Sequence, residues 1–428
     1  SCWGGWTCAF ESFLKHGVVR MGRELAFVLI NPYTIAKSRT GGVIARYLAR
    51  TELDFVAARM FGPSTELVQK SVDLLRKADS SKPAIKDLVV DYVLKSYAPN
   101  PETGLTRRVM LLLFEGEDAV RKICAVTGSA TMKSGSGQTI RDTYGDYILT
   151  EGGEVQYFEP AVLVATTRES AASVLRIWAQ YSASDGGMLN SAFDVPEGED
   201  VERTLVLLKP DNFRFRSLRP GNIIDLLSRS GLRIVCVKKF HMTVAQAEDL
   251  YAPVLTSLEE KFAEIGVERA REALGKEFGF DIPLAAARAL CAELGPCFAR
   301  GQFETIVEFM SGKKPSECSA AEKRKPGGEE CFALVYEGTD AVGTIRSILG
   351  STDPSKAAPG SVRREFGSDI MVNAAHASDS PENAEREIGI IRADEDTVSP
   401  WVDRYYGAVM SRVSAWIRLG ARGGRPPA

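Results

Sequence analysis

The residues best suited to chemistry gather around one histidine. His376 lies in the segment SVRREFGSDIMVNAAHASDSPENAEREIG, Ser361 to Gly389. It follows a short apolar run, Asp369 to Ala375, expected to be a strand. Ser380-Pro381 then has the form of a helix start, with serine as cap and proline in the first helical position. A histidine held near a helix N-terminus sits beside free backbone donors and the positive end of the helix dipole, a place that favours an anionic group. Neutral imidazole, with a pKa near ~6.5, is a competent nucleophile toward phosphorus near neutral pH. The cationic and hydroxyl side chains nearby suit phosphate oxygens.

Composition excludes several other chemistries. The chain has three histidines, His16, His241 and His376, and its eight cysteines include no CxxC pair, so no zinc-ligand pattern exists. Scattered cysteines of this kind fit inert packing in a reducing, cytoplasmic setting. With 53 basic and 56 acidic residues the formal charge is −3, and nothing draws the whole chain toward nucleic acid or anionic lipid. No apolar run reaches the ~18 residues of a membrane-spanning helix. At 428 residues, 44% apolar and 25% charged, the chain is long enough for about two or three globular domains. Residues 1–20 lack the pattern of a signal peptide and are expected to be a poorly ordered leader or extension.

An internal repeat organises the remainder. ELAFVLINP (Glu24 to Pro32) returns as RTLVLLKP (Arg203 to Pro210), and GGVIARYLARTELDFVAARMF (Gly41 to Phe61) as PGNIIDLLSRSGLRIVCVKKF (Pro220 to Phe240). VMLLLFEGEDAVRKICAVTGS returns as CFALVYEGTDAVGTIRSILGS, Gly116 answering Gly338 and Gly128 answering Gly350. The offset grows from about 179 to about 222, so the second copy carries roughly 43 extra residues between its second and third blocks. The boundaries that follow are a first domain at 21–182, a linker at 183–200, a second domain at 201–420 with insertions near 252–297 and 312–330, and a tail at 421–428.

In each copy the elements that must position the chemistry read strand, helix, strand, helical stretch, strand, helix, strand. The second copy shows this in Thr204 to Leu208, Ile223 to Leu227, Leu232 to Val237, Phe332 to Tyr336 and the amphipathic stretch Asp340 to Leu349. The fold expected is α+β: two tandem ferredoxin-like βαββαβ domains, each an antiparallel sheet with helices. Leu258 to Phe278 and Pro283 to Leu294 are expected to form a helical hairpin in the second domain.

Together these residues resemble the nucleoside diphosphate kinase family. The resemblance rests on LLKPD (Leu207 to Asp211), AEDLY (Ala247 to Tyr251), IRSILGSTDP (Ile345 to Pro354), PGSVRREF (Pro359 to Phe366), NAAHASDSPENAEREIG (Asn373 to Gly389) and WI (Trp416 and Ile417). It spans nearly all of Arg203 to Arg418 apart from the insertions and, more weakly, Glu24 to Ser182. It implies an enzyme that moves the γ-phosphoryl of a nucleoside triphosphate to a diphosphate in a ping-pong reaction through phosphohistidine at His376. Glu387 then matches the carboxylate that orients the histidine, and Tyr251 the tyrosine that helps position it. Lys209, Arg346 and Arg363 match the phosphate-binding cations, Thr352 and Asn373 the polar nucleotide contacts, and Phe298 the aromatic that stacks on the base. The resemblance also implies Mg²⁺ bound mainly through nucleotide phosphates, nucleoside triphosphates and diphosphates as partners, and dimer-based assembly.

Three positions depart from the family pattern. Ala377 replaces the glycine after the histidine, an awkward change if that backbone needs positive φ. Asn212 and Arg364 also stand where glycine is common. The first copy departs further, since no histidine lies between Gly17 and Phe240 and it cannot form a phosphohistidine. Leu163 stands near the place of His376, Asn31 near that of Lys209 and Cys124 at that of Arg346, while Arg141 still matches Arg363. The first copy is expected to be inert and to act as a pseudo-subunit. Two alternatives stay open on the sequence: a nucleotide-binding scaffold or regulator with weak or no kinase activity, and transfer of the phosphoryl group to protein acceptors.

Overall fold

The computed structural model describes residues 22–407 apart from 79–81, 132–135, 191, 194–197 and 199. The expected leader and tail, with His16, Trp416 and Ile417, lie outside the described residues. Ten strands are described: β1 (Arg23–Ile30), β2 (Asp54–Phe61), β3 (Val109–Glu117), β4 (Asp146–Leu149), β5 (Val155–Glu159), β6 (Val162–Leu163), β7 (Val201–Leu208), β8 (Arg233–His241), β9 (Glu330–Thr339) and β10 (Ala375–Ala377).

Among the described residues these strands form two four-stranded antiparallel sheets and one small hairpin. The first sheet has the order β2-β3-β1-β6, the second β8-β9-β7-β10, and β4 pairs with β5. The same order thus occurs twice, with the first strand central and the last at an edge, as split βαβ units require. The likeness extends to detail. A register shift falls between Phe55 and Ala57 in β2 and between Ile234 and Cys236 in β8. Asp118 and Asp340 both take a left-handed conformation ahead of the helices Ala119–Thr127 and Ala341–Leu349.

The halves share a core. β1 is buried after its first residue and β7 over Thr204 to Leu208, because both faces are covered there. One apolar cluster runs from Leu25 and Phe114 through Phe55 to Val206 and Phe332, and the Phe55 ring meets Phe114 at 5.3 Å and Phe332 at 5.4 Å. The helices Thr40–Arg50 and Arg219–Leu227 cross where both carry glycine. A Cβ on Gly41 would lie 2.3 Å from the Gly221 carbonyl oxygen, and one on Gly221 2.2 Å from that of Gly41. Only glycine permits this approach. Buried Arg59 ties the halves further, donating to the carbonyls of Ser182, Gly186, Asp394 and Glu395. In the stretch expected to be a linker, Ser182–Asp185 is a short helix.

The hairpin of the second half is longer than its pattern indicates, comprising helices Val244–Phe278 and Leu284–Ser311. The expected strand Asp369 to Ala375 is corrected. Ala375–Ala377 is the strand, and the Asp369 carboxylate accepts from the backbone of Met371 and Val372 at 2.8 Å each, closing a turn. Apolar residues were a misleading guide there because an aspartate captured the backbone first. His376 is therefore mid-strand, paired with Leu207. No described helix is long and apolar enough to cross a membrane.

Candidate active site

The site is assembled on the β7–β10 edge of the second sheet. His376 projects from β10, and Ser380 caps the helix Pro381–Ile390 by accepting from Asn383 N. One turn and a half into that helix stands Glu387, 4% exposed. Its Oε2 lies 2.9 Å from His376 Nε2 and accepts from Ser378 Oγ at 2.7 Å. An ionised carboxylate only accepts, so the ring proton sits on Nε2 and Nδ1 keeps its lone pair. The Tyr251 ring meets the imidazole edge-on at 5.8 Å. Its hydroxyl is buried with no hydrogen-bond partner among the described residues, and burial raises its pKa.

Lys209 leaves the end of β7 toward the same place. Nζ donates to Asn373 Oδ1 at 2.8 Å and to the Met371 carbonyl at 3.0 Å, and lies over the Phe309 ring. Loss of solvent brings its pKa down to about 8, despite the opposing pull of Asp211. Asn373 is turned by its amide, which donates to the carbonyls of Thr352 and Ile370. Arg363 is anchored beneath the histidine strand by bonds to the Gly350 carbonyl at 2.9 Å and the Ala375 carbonyl at 3.1 Å. Burial, then the neighbouring Arg346 guanidinium, lowers its pKa. Arg346 and Thr352 are exposed at the rim.

The structure thus brings together His376, Glu387, Tyr251, Lys209, Asn373 and Arg363, with Arg346 beside Arg363 and Thr352 touching Asn373. Phe298 is placed elsewhere. Its ring stacks on Phe262 at 4.7 Å on the helical hairpin and stays exposed. Phe309, a late residue of the same hairpin, is the aromatic against Lys209.

Two departures from the family pattern are accommodated. Ala377 lies in β10 without positive φ; the left-handed residue is Ala374, φ 71°. Asn212 has no positive φ and is buried, where it donates to the carbonyls of Lys209 and Ala374 and accepts from Arg219. The sequence reading noted Asn212 only as a departure and passed over Ser378 and Phe309. Ser378 was accessible in principle, because residues two apart along an extended chain share a face.

The corresponding place in the first half is filled. Leu163 pairs with Leu29 as His376 pairs with Leu207. Arg141 keeps the habit of Arg363, donating to the carbonyls of Gly128 and Val162. Asn31, at the end of β1, donates to Glu159 Oε1 and accepts from the Tyr97 hydroxyl, while Tyr92 donates to Glu159 Oε2 at 2.6 Å. Glu159 is 2% exposed, and desolvation raises its pKa against these bonds. A closed, self-satisfied network occupies the ground where the second half presents a lysine.

Residues 202–264 and 326–397 match the family model described as nucleoside diphosphate kinase. Similar proteins include nucleoside diphosphate kinases of Thermobifida fusca, 30% identical over 45% of this chain and 98% of that one, and of Staphylothermus marinus, 30% identical over 46% and 98%. That of Archaeoglobus fulgidus is 29% identical over 46% of this chain and 91% of its own. The solved nucleoside diphosphate kinase of Aquifex aeolicus is 29% identical over 45% of this chain and 95% of its own, with a TM-score of 0.28.

Proposed function

The chain belongs to the nucleoside diphosphate kinase family, and from that premise we propose that its second half transfers the γ-phosphoryl of a nucleoside triphosphate to a nucleoside diphosphate through His376. The observation that carries this is the 2.9 Å contact of Glu387 Oε2 with His376 Nε2, which favours the ring proton on Nε2 and leaves Nδ1 as the nucleophile.

In the first half-reaction the Nδ1 lone pair forms a bond to the γ-phosphorus as the bond to the β,γ-bridging oxygen breaks. The diphosphate departs with that electron pair. The imidazole becomes a cation bearing the phosphoryl group on Nδ1 and a proton on Nε2, and Glu387 stabilises this charge through the hydrogen bond it already makes. A second diphosphate reverses the step. Phosphoryl transfer asks mainly for positioning and charge stabilisation. Lys209, Arg363 and Arg346 supply positive charge to the phosphoryl oxygens, Asn373 and Thr352 contact the nucleotide, and Tyr251 offers its unpartnered hydroxyl toward the reacting group. These cationic and hydroxylic groups fit phosphate oxygens, and among the described residues no cluster of three acidic, histidine or cysteine side chains forms a metal cage. Magnesium would accompany the nucleotide and neutralise its phosphates.

The first half is, in this reading, a degenerate tandem copy and an internal pseudo-subunit. The repeated strand order, the paired glycines at the helix crossing and the blocked site support it.

The test is incubation of the full chain with Mg²⁺ and ATP labelled on the γ-phosphoryl, followed by a GDP chase, beside His376→Ala. Acid-labile label that moves to GTP and is absent from the variant is the expected result. Label that moves only to protein acceptors, or no label on folded protein that binds nucleotide, overturns the diphosphate-kinase reading.

A further inference from the structure

A cavity away from His376 lies where the two halves meet. Its volume is about 260 Å³, and its wall takes Ile35 and Thr40 from the first half and Ile224, Leu232 and Tyr336 from the second. Each half also contributes an arginine to it: Arg108, just before β3, and Arg233, the first residue of β8. The two guanidinium groups stack on one ring, their central carbons 4.7 and 4.4 Å from the centroid of Phe193.

Two like charges on one ring at a junction call for an anion. Among the described residues neither arginine forms an ion pair. Arg108 donates to the Ile234 carbonyl at 3.0 Å. Glu337, the acid whose field reaches Arg108, is taken by Arg203 at 2.9 Å. Burial, and then Arg233, brings the Arg108 pKa down to about 10, so its charge is held at a cost. Two residues of the cavity wall, Thr40 and Tyr336, 3% and 1% exposed, also carry buried hydroxyls with no partner among the described residues. A buried hydroxyl left unpaired is unfavourable and is ordinarily explained by something that bonds it.

We propose that this junction cavity binds a small organic anion, a phosphate or carboxylate carrying an apolar body. Its oxygens would accept from Arg108, Arg233, Tyr336 and Thr40, and its body would lie on Ile35, Ile224 and Leu232. The two guanidinium groups offer the forked donors that match such oxygens. The volume exceeds that of several waters, at ~30 Å³ each in the liquid, so a body beyond the charged group is accommodated. Such a ligand touches both halves at once and stabilises their apposition.

Phenyl phosphate and benzoate are suitable probes, titrated calorimetrically into the full chain. The expected result is saturable binding that weakens at least tenfold in Arg108→Gln/Arg233→Gln, several-fold in Tyr336→Phe, and not at all in Arg363→Gln. Tyr336→Phe should melt no lower than the wild type, since its hydroxyl bonds no protein group. Tighter binding of phenyl phosphate than of benzoate assigns a phosphate ligand, and the reverse a carboxylate. No saturable binding to wild type overturns the proposal. Binding lost in Arg363→Gln but untouched by the junction variants overturns it too, by placing the probe in the His376 site.

Discussion

His376 Nε2 and Glu387 Oε2 meet at 2.9 Å although one residue belongs to a strand and the other to the helix that follows it. The Ser380 cap and Pro381 set the direction of that helix, and Ser378 holds the same carboxylate oxygen. Proton position on the ring is therefore decided by a carboxylate buried under the strand.

Glu387→Gln tests this directly. The amide can present its NH₂ or its oxygen to the ring and no longer stabilises a charged imidazole, so kcat should fall by about 10- to 100-fold with KM little changed. Ser378→Ala removes a bond to the same oxygen and should cost less. Steady-state kinetics with ATP and a diphosphate acceptor separate the two.

Lys209 gives a pH signature. In the proposed reaction its charge serves phosphate binding, and with a pKa of about 8 in the free protein that charge is lost as pH rises through 8, well below the usual lysine value. kcat/KM should decline on that alkaline limb. Lys209→Arg should move the limb beyond the measurable range, because a guanidinium stays protonated. Stability runs the other way: because the folded pKa is depressed, this group's contribution is present above the ordinary value of 10.5 and lost as pH falls through about 8.

Glu159 makes a contrasting prediction for the first half. Its folded pKa is raised above 4.5, so its contribution to stability is present below that value and lost as pH rises through the folded pKa. The denaturation midpoint of wild type minus that of Glu159→Gln should be largest in acid and shrink toward neutrality. Glu159→Ala leaves three donors unpaired, the Asn31 amide, the Tyr92 hydroxyl and the Ala161 backbone N–H, and should cost about 3 kcal/mol or more. Phosphorylation of His376 should be unaffected by either change.

The helix crossing supplies a fourth. Gly41→Val places atoms inside van der Waals contact of the Gly221 carbonyl and Asp225, and should destabilise by about 1–3 kcal/mol or more. Thermal melts should lose their single cooperative transition if the halves come apart.

The sequence by itself went far toward the second half. That His376, Lys209, Arg363, Asn373 and Glu387 belong to one constellation was legible because they stand in short contiguous stretches, and the Ser380-Pro381 start was legible because capping is local chemistry. The repeat revealed that both halves carry the same succession of strands and helices, since alternation and loop length repeat with it. Local pattern failed at Asp369–Asn373, where an aspartate turn outcompeted an apolar run, and at Phe298, whose aromatic character does not say which neighbour it meets.

Tertiary structure alone decided the rest. That Asn31, Tyr92, Tyr97 and Glu159 close over the first half's site cannot be read from residues spread over nearly the whole domain, because a buried carboxylate is tolerable only once its donors converge. The same holds for Arg108, Arg233 and Phe193 at the junction. Composition and periodicity fix which faces are apolar; which charges lose water together depends on how those faces pack.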